Sequence, residues 1–398
     1  MRVPRLWCGL LAAAAILLAV SLPVSGFAQT RTGLPGSGLV LGYYVPYDPT
    51  SWASLQAHPD QLDIVAAQWA TIDACGGLNT HDDQTLKQFA HDHGLRMEPS
   101  LFTASAWLDH RVLTDEAARA AAIQNVVQYT LDEGYDGFDL DLEGISASDR
   151  DALTAFVTDL GASLHEQGKL LTLALGAKER DVTTGWSGAF DYAGLGAQAD
   201  LVTIMAYEYT GPFSGPGSVA PYDWVARVAA FASQQISGNK VLLGLAFYGY
   251  DWNTTSGGAL AMGYPRAMAL AEHEQAEPGF DPSQQSLTFG YTADAADQIP
   301  PGPALPRLQH TITTRTSPAC DVVPPATAPT PQPTPAPQAG TPQTHAVWIE
   351  DSVSASARIG LADARHLRGI ATWRLGFEDP NVWPLLDQWR QVTAARQS

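Results

Sequence analysis

The sequence predicts a (β/α)8 barrel, an α/β fold, with a small α+β insertion between its seventh and eighth strands. From Leu39 onward, short apolar runs alternate with amphipathic segments of helical periodicity, which is the element order of a parallel barrel. Most of these runs are apolar throughout, as strands are when helices cover both faces of a parallel sheet. Without the insertion the barrel contains roughly 270 residues, a normal size for this fold.

Eight apolar runs are predicted to form the barrel strands. In chain order they are Leu39–Tyr44, Ile64–Trp69, Arg96–Phe102, Gly137–Glu143, Leu170–Leu175, Leu201–Tyr207, Val241–Phe247 and Gly369–Leu375. In this fold the side chains that carry chemistry lie at the carboxyl ends of the strands. Glu143 ends the fourth run and Tyr207 ends the sixth, so both are candidates for the site.

The segments between the strands show the periodicity of surface helices. One such segment follows the fourth strand, with Ser148 as a candidate N-cap and Gly168 at its end. Its apolar face consists of Leu153, Phe156, Val157, Leu160 and Leu164. The segment Thr114–Gly134 precedes that strand and carries Asp115 and Glu116 in its first turn, where acidic residues favour a helix.

The insertion covers residues 253–351 of a barrel domain that spans residues 39–398. It contains a helical pattern at Pro265–Gln275 and strand patterns at Ser286–Thr292 and His345–Asp351. Residues 324–342 are low-complexity Pro/Thr/Ala/Gln sequence, a composition that cannot bury a core. Because both ends of this tract return to one small module, we expect a disordered loop rather than a linker.

The acidic run at residues 136–144 reads Asp-Gly-Phe-Asp-Leu-Asp-Leu-Glu-Gly. Successive side chains of a strand point to opposite faces, so Asp139, Asp141 and Glu143 share one face and the two leucines share the other. We expect helices to cover the leucines on the outer face and the acids to face a cavity. Three carboxyl groups so close cannot all ionise freely, and a retained proton is what general-acid catalysis needs. The alternative is a solvated acidic strand edge, which this alternation disfavours.

The N-terminus predicts export. Arg2 and Arg5 precede an apolar run from Leu6 to about Val20, and Ser25-Gly26-Phe27-Ala28 forms a small-x-small cleavage site. We therefore expect a signal peptide over residues 1–28, a linker over residues 29–38, and a secreted or cell-envelope protein. An uncleaved membrane anchor is the alternative, although the run is short for a span.

The charge excludes several partner classes. The formal net charge of −19 becomes two units more negative once the signal arginines are removed. Nucleic acid and anionic membrane surfaces require basic patches, so we expect no nucleic acid partner and no membrane contact after signal cleavage. A neutral polysaccharide substrate fits this charge better, and we expect a monomer.

Two cysteines remain after removal of the signal peptide, Cys75 and Cys320. In an exported protein such a pair is a candidate disulfide, and two free buried thiols are the alternative.

The run Asp136-x-x-Asp139-x-Asp141-x-Glu143 resembles the signature of the family 18 glycoside hydrolases, the chitinase-type barrel enzymes. Met205-Ala206-Tyr207-Glu208 is similar to the family's Met-x-Tyr-Asp segment, and Trp373 to the tryptophan that floors its sugar-binding subsite. Tyr43 and Gln68 lie at cavity-facing positions of the first and second strands. The resemblance implies substrate contacts for five residues: Tyr43, Gln68, Met205, Glu208 and Trp373.

Other segments resemble one branch of that family, the spore-cortex-lytic N-acetylglucosaminidases. One such feature is Glu208, which stands where most of the family has Asp. The others are three runs: Pro212–Pro221, Phe247-Tyr248-Gly249-Tyr250-Asp251-Trp252, and Val347-Trp348-Ile349-Glu350-Asp351. The peptidoglycan-binding repeats that accompany many members of that branch are not visible in the sequence. The resemblance therefore leaves two polymers as candidate substrates, chitin and peptidoglycan.

The mechanism implied by the resemblance is substrate-assisted retaining hydrolysis, which needs neither a metal nor a cofactor. Glu143 protonates the glycosidic oxygen, and the 2-acetamido carbonyl of the substrate attacks the anomeric carbon. Asp141 orients the acetamido N–H, Asp139 shares a proton with Asp141, and Tyr207 donates its hydroxyl to the acetamido oxygen. A catalytically inactive, lectin-like barrel is the alternative function, although inactive members typically lose one of these acids.

Several residues also have purely structural interpretations. Asp136 precedes a glycine, and we expect it to shape the entry of the strand. The aromatic side chains of Trp69, Tyr248, Tyr250, Trp252 and Trp348 are either packing residues or stacking platforms for sugars.

Overall fold

The computed structural model describes residues 34–294, 310–322 and 341–396. The predicted signal peptide, residues 29–33 of the predicted linker and residues 324–340 of the Pro-rich tract lie outside these ranges. Within the described part of the chain, no helix is long and apolar enough to cross a lipid bilayer.

Eight parallel strands close into a barrel, which confirms the predicted fold. We number them 1 to 8 in chain order: Leu39–Tyr44, Ile64–Ile72, Arg96–Thr103, Gly137–Leu142, Leu170–Gly176, Leu201–Met205, Val241–Ala246 and Gly369–Trp373. Strand 1 pairs with both strand 2 and strand 8, so the parallel sheet closes on itself. This closure places the carboxyl ends of all eight strands around one mouth.

Helices surround the barrel and cover the apolar outer sides of its strands. Their bounds are Pro49–Ala57, Gln84–Asp92, Ala106–Thr114, Glu116–Asp132, Arg150–Glu166, Tyr192–Gln198, Tyr222–Gln235, Ser352–Ala364 and Val382–Ala395. Short 3-10 turns lie at Pro59–Gln61, Ala147–Asp149, Trp186–Ala189 and Gly238–Lys240.

The helix after strand 4 has the predicted buried face but a different start. It begins at Arg150 rather than after a Ser148 cap, because a 3-10 turn over Ala147–Asp149 precedes it. Ser146 caps that turn instead, by accepting a hydrogen bond from the Ser148 backbone N–H. The predicted apolar residues of the helix are buried, as are Leu140 and Leu142 on the outer face of strand 4.

The insertion folds into a five-stranded antiparallel sheet with one helix, Tyr264–His273. Its strands are Tyr248–Asn253, Ala259–Gly263, Gly279–Asp281, Ser286–Asp294 and Pro342–Ile349. The sheet thus starts at Tyr248, five residues before the predicted boundary, because this segment pairs with two neighbouring strands. Pro342, the last residue of the tract expected to be disordered, begins a strand.

Residues 310–322, which we call the strap, leave the insertion and dock beside strand 2. The strap strand Ile312–Arg315 pairs antiparallel with Leu78–Asp83, the segment that folds back on the end of strand 2. A disulfide joins Cys75 to Cys320, with their Cα atoms 5.8 Å apart. The expectation that both ends of the Pro-rich tract return to one small module is therefore wrong, because the strap that precedes the tract docks on the barrel. The outer edge of the Leu78–Asp83 strand offers unpaired backbone groups, and the strap satisfies them.

Candidate active site

Strand 4 carries a column of carboxyl groups that rises through the barrel to its mouth. Asp139 and Asp141 point into the barrel and are 0% and 3% exposed. Glu143 lies one residue past the end of the strand and is half-buried. Its backbone N–H donates to the carbonyl of Thr103 at 2.7 Å, which ties it to the end of strand 3. Strand alternation thus places the three acids on one face, as the sequence predicts.

Asp139 is held by two hydroxyl groups, one from the adjacent strand 3 and one from strand 1. Ser100 donates to Oδ2 at 2.6 Å and Tyr43 donates to Oδ1 at 3.3 Å. Burial raises the pKa of Asp139 to about 7, and the two hydrogen bonds oppose this rise. Asp139 therefore changes its protonation state near neutral pH.

Asp141 lies between Asp139 and Glu143 in the column and is buried. Its Oδ1 is buried without a hydrogen-bond partner among the described residues. Burial raises its pKa well above the ordinary value, the charges of Glu143 and Asp139 add to the rise, and the Gln68 side chain opposes it. These effects favour the protonated form of Asp141.

Glu143 is the acid nearest to solvent. Burial raises its pKa, and the charge of Glu208 adds to this effect. The indole N–H of Trp186 donates to the backbone carbonyl of Glu143 at 2.9 Å, while the Trp186 side chain remains about half exposed. A Cβ at Gly176 would lie 2.5 Å from this ring, so the glycine at the end of strand 5 makes room for it.

Two aromatic residues from other strands complete the predicted site. Tyr207 follows strand 6, and its pKa is raised well above the ordinary value by burial and by the charges of Asp141 and Glu143. It therefore retains its hydroxyl proton beside the acids. Trp373 ends strand 8, is half-buried, and packs against the Tyr43 ring with 5.5 Å between ring centroids.

Glu208 faces the insertion. Its carboxylate accepts hydrogen bonds from the hydroxyl groups of Tyr250, at 2.7 Å, and Tyr248. Both tyrosines are buried, so they hold Glu208 rather than present a face to a sugar. Met205 is buried at the end of strand 6.

Other predicted residues have structural roles. Asp136 accepts a hydrogen bond from the backbone N–H of Met97 at 2.9 Å and pairs with His91, so it shapes the entry of strand 4 as expected. Trp69 and Trp252 are buried, and Trp69 donates its indole N–H to Tyr129.

Trp186 was missed by sequence reasoning, although its position offers a signal. It is the aromatic residue of the loop that follows strand 5, and loops of this kind build the mouth of such a barrel. Three further exposed aromatic residues, Tyr47, Tyr209 and Phe213, lie on the loops that follow strands 1 and 6. Exposed aromatic faces at a mouth suit sugar rings, which stack on them.

Comparisons with known proteins place this geometry in a family. The family model described as "Glycosyl hydrolases family 18" matches residues 39–378. The uncharacterized glycosylase YvbX of Bacillus subtilis is 22% identical, over 92% of this chain and 96% of that protein. The cortical fragment-lytic enzyme of Bacillus subtilis is 27% identical over 71% of this chain, and the match spans only 56% of that enzyme.

Solved structures share the fold. A chitinase from Chromobacterium violaceum superposes with a TM-score of 0.71 and 25% identity, over 88% of this chain and 98% of that one. The spore cortex-lytic enzyme SleL of Bacillus megaterium superposes with a TM-score of 0.70 and 22% identity, over 88% of this chain and 73% of that one. The family model covers most of the chain, including the acid column and its aromatic partners. The chain therefore belongs to glycosyl hydrolase family 18 and is a glycosyl hydrolase.

Proposed function

We propose that this protein is an exported enzyme that cleaves the β-1,4 bonds of N-acetylglucosamine-containing polysaccharide by substrate-assisted retaining hydrolysis. The observation that carries the proposal is the graded burial of Asp139, Asp141 and Glu143 in one column. Glu143 is the least buried of the three acids, which supports its assignment as the proton donor to the oxygen between two sugars, and the deeper Asp139 and Asp141 are assigned to the acetamido group of one sugar.

The first step is protonation of the leaving group. Burial and the charge of Glu208 both favour the protonated form of Glu143, which is the form that a general acid requires. Its carboxyl proton passes to the glycosidic oxygen as the bond to the anomeric carbon breaks. Trp186 holds the backbone of Glu143 during this transfer.

The nucleophile is the 2-acetamido carbonyl oxygen of the substrate, which attacks the anomeric carbon and forms an oxazolinium ion. Asp141 accepts the acetamido N–H and offsets the developing positive charge, while Asp139 shares the proton of the pair. Tyr207 keeps its hydroxyl proton beside these acids and donates a hydrogen bond to the acetamido oxygen. Water then opens the oxazolinium ion, with the deprotonated Glu143 as its general base.

Two substrate polymers fit this chemistry, chitin and peptidoglycan, since both contain N-acetylglucosamine. The relatives point to both, because their names include chitinases and cortical fragment-lytic enzymes. The Cys75–Cys320 disulfide supports export, because disulfides persist in oxidising compartments outside the cytosol.

The test compares three glycans: chito-oligosaccharides, purified peptidoglycan, and fully deacetylated chito-oligosaccharides as the matched control. We expect cleavage of at least one acetylated polymer, retained anomeric configuration by NMR, and an N-acetylglucosamine reducing end by mass spectrometry. The deacetylated control lacks the nucleophile and should resist cleavage. Inversion at the anomeric carbon, or equal cleavage of the deacetylated control, would contradict the proposed mechanism.

The charge of Glu208 leads to a prediction about pH dependence. Activity requires a protonated Glu143, so the rate falls as pH rises through the raised pKa of this residue. Glu208→Gln removes a negative charge that raises that pKa, so the basic limb of the kcat/KM profile should move to lower pH. At a fixed pH on that limb we expect about a two- to fivefold loss, the size of one partly solvated charge interaction.

Tyr250→Phe serves as the control for that experiment. It removes one hydrogen bond to Glu208 but leaves its charge, so its basic limb should stay close to that of the wild type. A Glu208→Gln profile that coincides with the wild-type profile would show that this charge does not act on Glu143.

A further inference from the structure

A buried arginine follows Trp373 directly in the chain. Arg374 is only 4% exposed, although it lies on the loop that follows strand 8. Arginine side chains are almost never buried to this extent unless the guanidinium is paired. Arg374 plays no part in the mechanism described above, so its contacts indicate which parts of the mouth it holds together.

The polar edge of the guanidinium binds the segment that follows strand 1. Nη2 of Arg374 donates to the Asp48 carboxylate, and Nη1 donates to Ser51 Oγ at 3.1 Å. The Ser51 hydroxyl in turn donates to the Leu375 carbonyl at 2.7 Å. Asp48 caps the helix Pro49–Ala57, and Ser51 lies in its first turn. Arg374 thereby ties its own loop to the amino end of that helix.

The flat face of the guanidinium lies on the ring of Phe377, with 3.6 Å between Cζ and the ring centroid. A planar guanidinium suits such stacking, which an ammonium group cannot reproduce. Phe377 also contacts the insertion. Its backbone carbonyl accepts the Tyr264 N–H at 2.8 Å, and a Cβ at Gly263 would lie 2.8 Å from its ring. Arg374 therefore joins the insertion to the loop that begins at Trp373.

The backbone around Arg374 is fixed to both neighbouring barrel strands. The Trp373 carbonyl accepts the Phe247 N–H at 2.8 Å, and the Leu375 N–H donates to the Tyr43 carbonyl at 3.1 Å. The Trp373 indole packs against Tyr43 and stays half-buried at the mouth. A side chain that binds a ligand keeps its geometry only if the residues behind it are themselves held. The contacts of Arg374 provide that support on one side of Trp373.

We propose that Arg374 is a positioning residue that acts through Trp373, by fixing the loop after strand 8 between the helix Pro49–Ala57 and the insertion. This inference rests on the proposed function, in which Trp373 contacts a sugar ring. A ring that is already held in place loses less conformational entropy when a ligand binds. A looser loop would let the indole move away from the sugar, while the acids of strand 4 would keep their surroundings.

The test is Arg374→Lys, which keeps the positive charge but removes the planar group that stacks on Phe377. We expect kcat/KM for a chito-oligosaccharide to fall about three- to tenfold, the size of a weakened aromatic contact. The pH–rate profile should keep its position, because no charge beside the acid column changes. Arg390→Lys is the matched control. Arg390 is a partly buried arginine that pairs with Asp63 at 2.8 Å, before the start of strand 2, and its kcat/KM should match the wild type.

A double-variant cycle separates positioning from a purely structural role. In a Trp373→Ala background, Arg374→Lys should lower kcat/KM by no more than about twofold, because the side chain that Arg374 positions is absent. Its effect on the free energy of unfolding should be the same in both backgrounds. Equal losses of kcat/KM in the two backgrounds would overturn the proposal.

A measurement without substrate keeps this inference separate from the proposed function. In protein labelled with 5-fluorotryptophan, the ¹⁹F signal of Trp373, assigned through Trp373→Phe, should be single in the wild type and broadened or split in Arg374→Lys. Phe377→Leu removes the stacking ring but leaves the ion pair, and it should show the same change if Arg374→Lys does not fold. A Trp373 signal that is identical in the wild type and in the folded variants would overturn the proposal whether or not any glycan is cleaved. A changed signal in a protein that cleaves no glycan would contradict the proposed function alone.

Discussion

Glu143→Gln is expected to lower the rate of glycan hydrolysis by about 10²- to 10⁴-fold, the contribution of a well-placed general acid. Glutamine has almost the same shape as glutamate but has no acidic proton to give to the leaving oxygen. The backbone contacts of the residue to Thr103 and Trp186 do not involve its carboxyl group and should persist. The measurement is kcat/KM on a chito-oligosaccharide or on peptidoglycan fragments.

Two controls make this result specific. Oligosaccharide binding, measured by calorimetry, should stay within a few-fold of the wild type, because the aromatic side chains of the mouth are unchanged. For an aryl glycoside with an activated leaving group, kcat/KM should fall by a smaller factor, because the departure of that group depends less on protonation. If Glu143→Gln is as active as the wild type, another residue must be the general acid. If neither the wild type nor the variant cleaves any such substrate while both bind, a lectin-like function becomes the better account.

Arg358→Ala is expected to destabilise the fold by about 3–5 kcal/mol, the usual effect of removing one partner of a buried ion pair. The Arg358 guanidinium lies 2.9 Å from Glu350, and both side chains are almost fully buried. Arg358 also donates to the backbone carbonyls of Gln285, at 3.0 Å, and Ala220. It thereby joins the helix Ser352–Ala364 to the insertion and to the loop that follows strand 6.

The loss would leave Glu350 buried without its counter-ion. Burial already raises the pKa of Glu350, and the charge of Arg358 opposes that rise. Hydroxyl groups of Ser218 and Ser286, each at 2.8 Å, would remain as its hydrogen-bond donors. The measurement is the free energy of unfolding from urea denaturation, monitored by tryptophan fluorescence and by circular dichroism.

Arg396→Ala is the matched control for this prediction. Arg396 also pairs with a carboxylate, Asp363, at 2.7 Å, but its side chain is largely exposed. Exposed pairs contribute little because water and salt screen them, so its unfolding midpoint should match the wild type. Equal midpoints for both arginine variants would show that the buried pair does not hold the insertion in place.

The column of three acids on strand 4 was predictable because it depends only on local geometry. Strand alternation alone places Asp139, Asp141 and Glu143 on one face, and the apolar Leu140 and Leu142 assign that face to the barrel interior. The starts of the eight strands were predictable for a similar reason, since both-face burial leaves continuous apolar runs in the sequence. The predicted ends of seven strands differ from the observed ends by one to three residues.

Contacts between distant segments were not predictable in this way. Arg374 follows strand 8 directly, and only the closure of the barrel brings it to Asp48 and Ser51 in the segment after strand 1. Trp186 approaches Glu143 because the loop after strand 5 folds back over Gly176. The strap reaches strand 2 through backbone pairing with Leu78–Asp83, which depends on an available sheet edge and hardly on side-chain type.

The sequence by itself determined the barrel, the order of its strands and the acids of strand 4, because each follows from a local pattern: continuous apolar runs for the strands, a 3.6-residue repeat for the helices and a two-residue alternation for the acids. The tertiary structure alone decided which groups surround those acids and therefore how they hold protons. Desolvation and charge coupling depend on distances through space, and barrel closure brings Tyr43, Tyr207 and Trp373 to the same mouth from strands far apart in sequence.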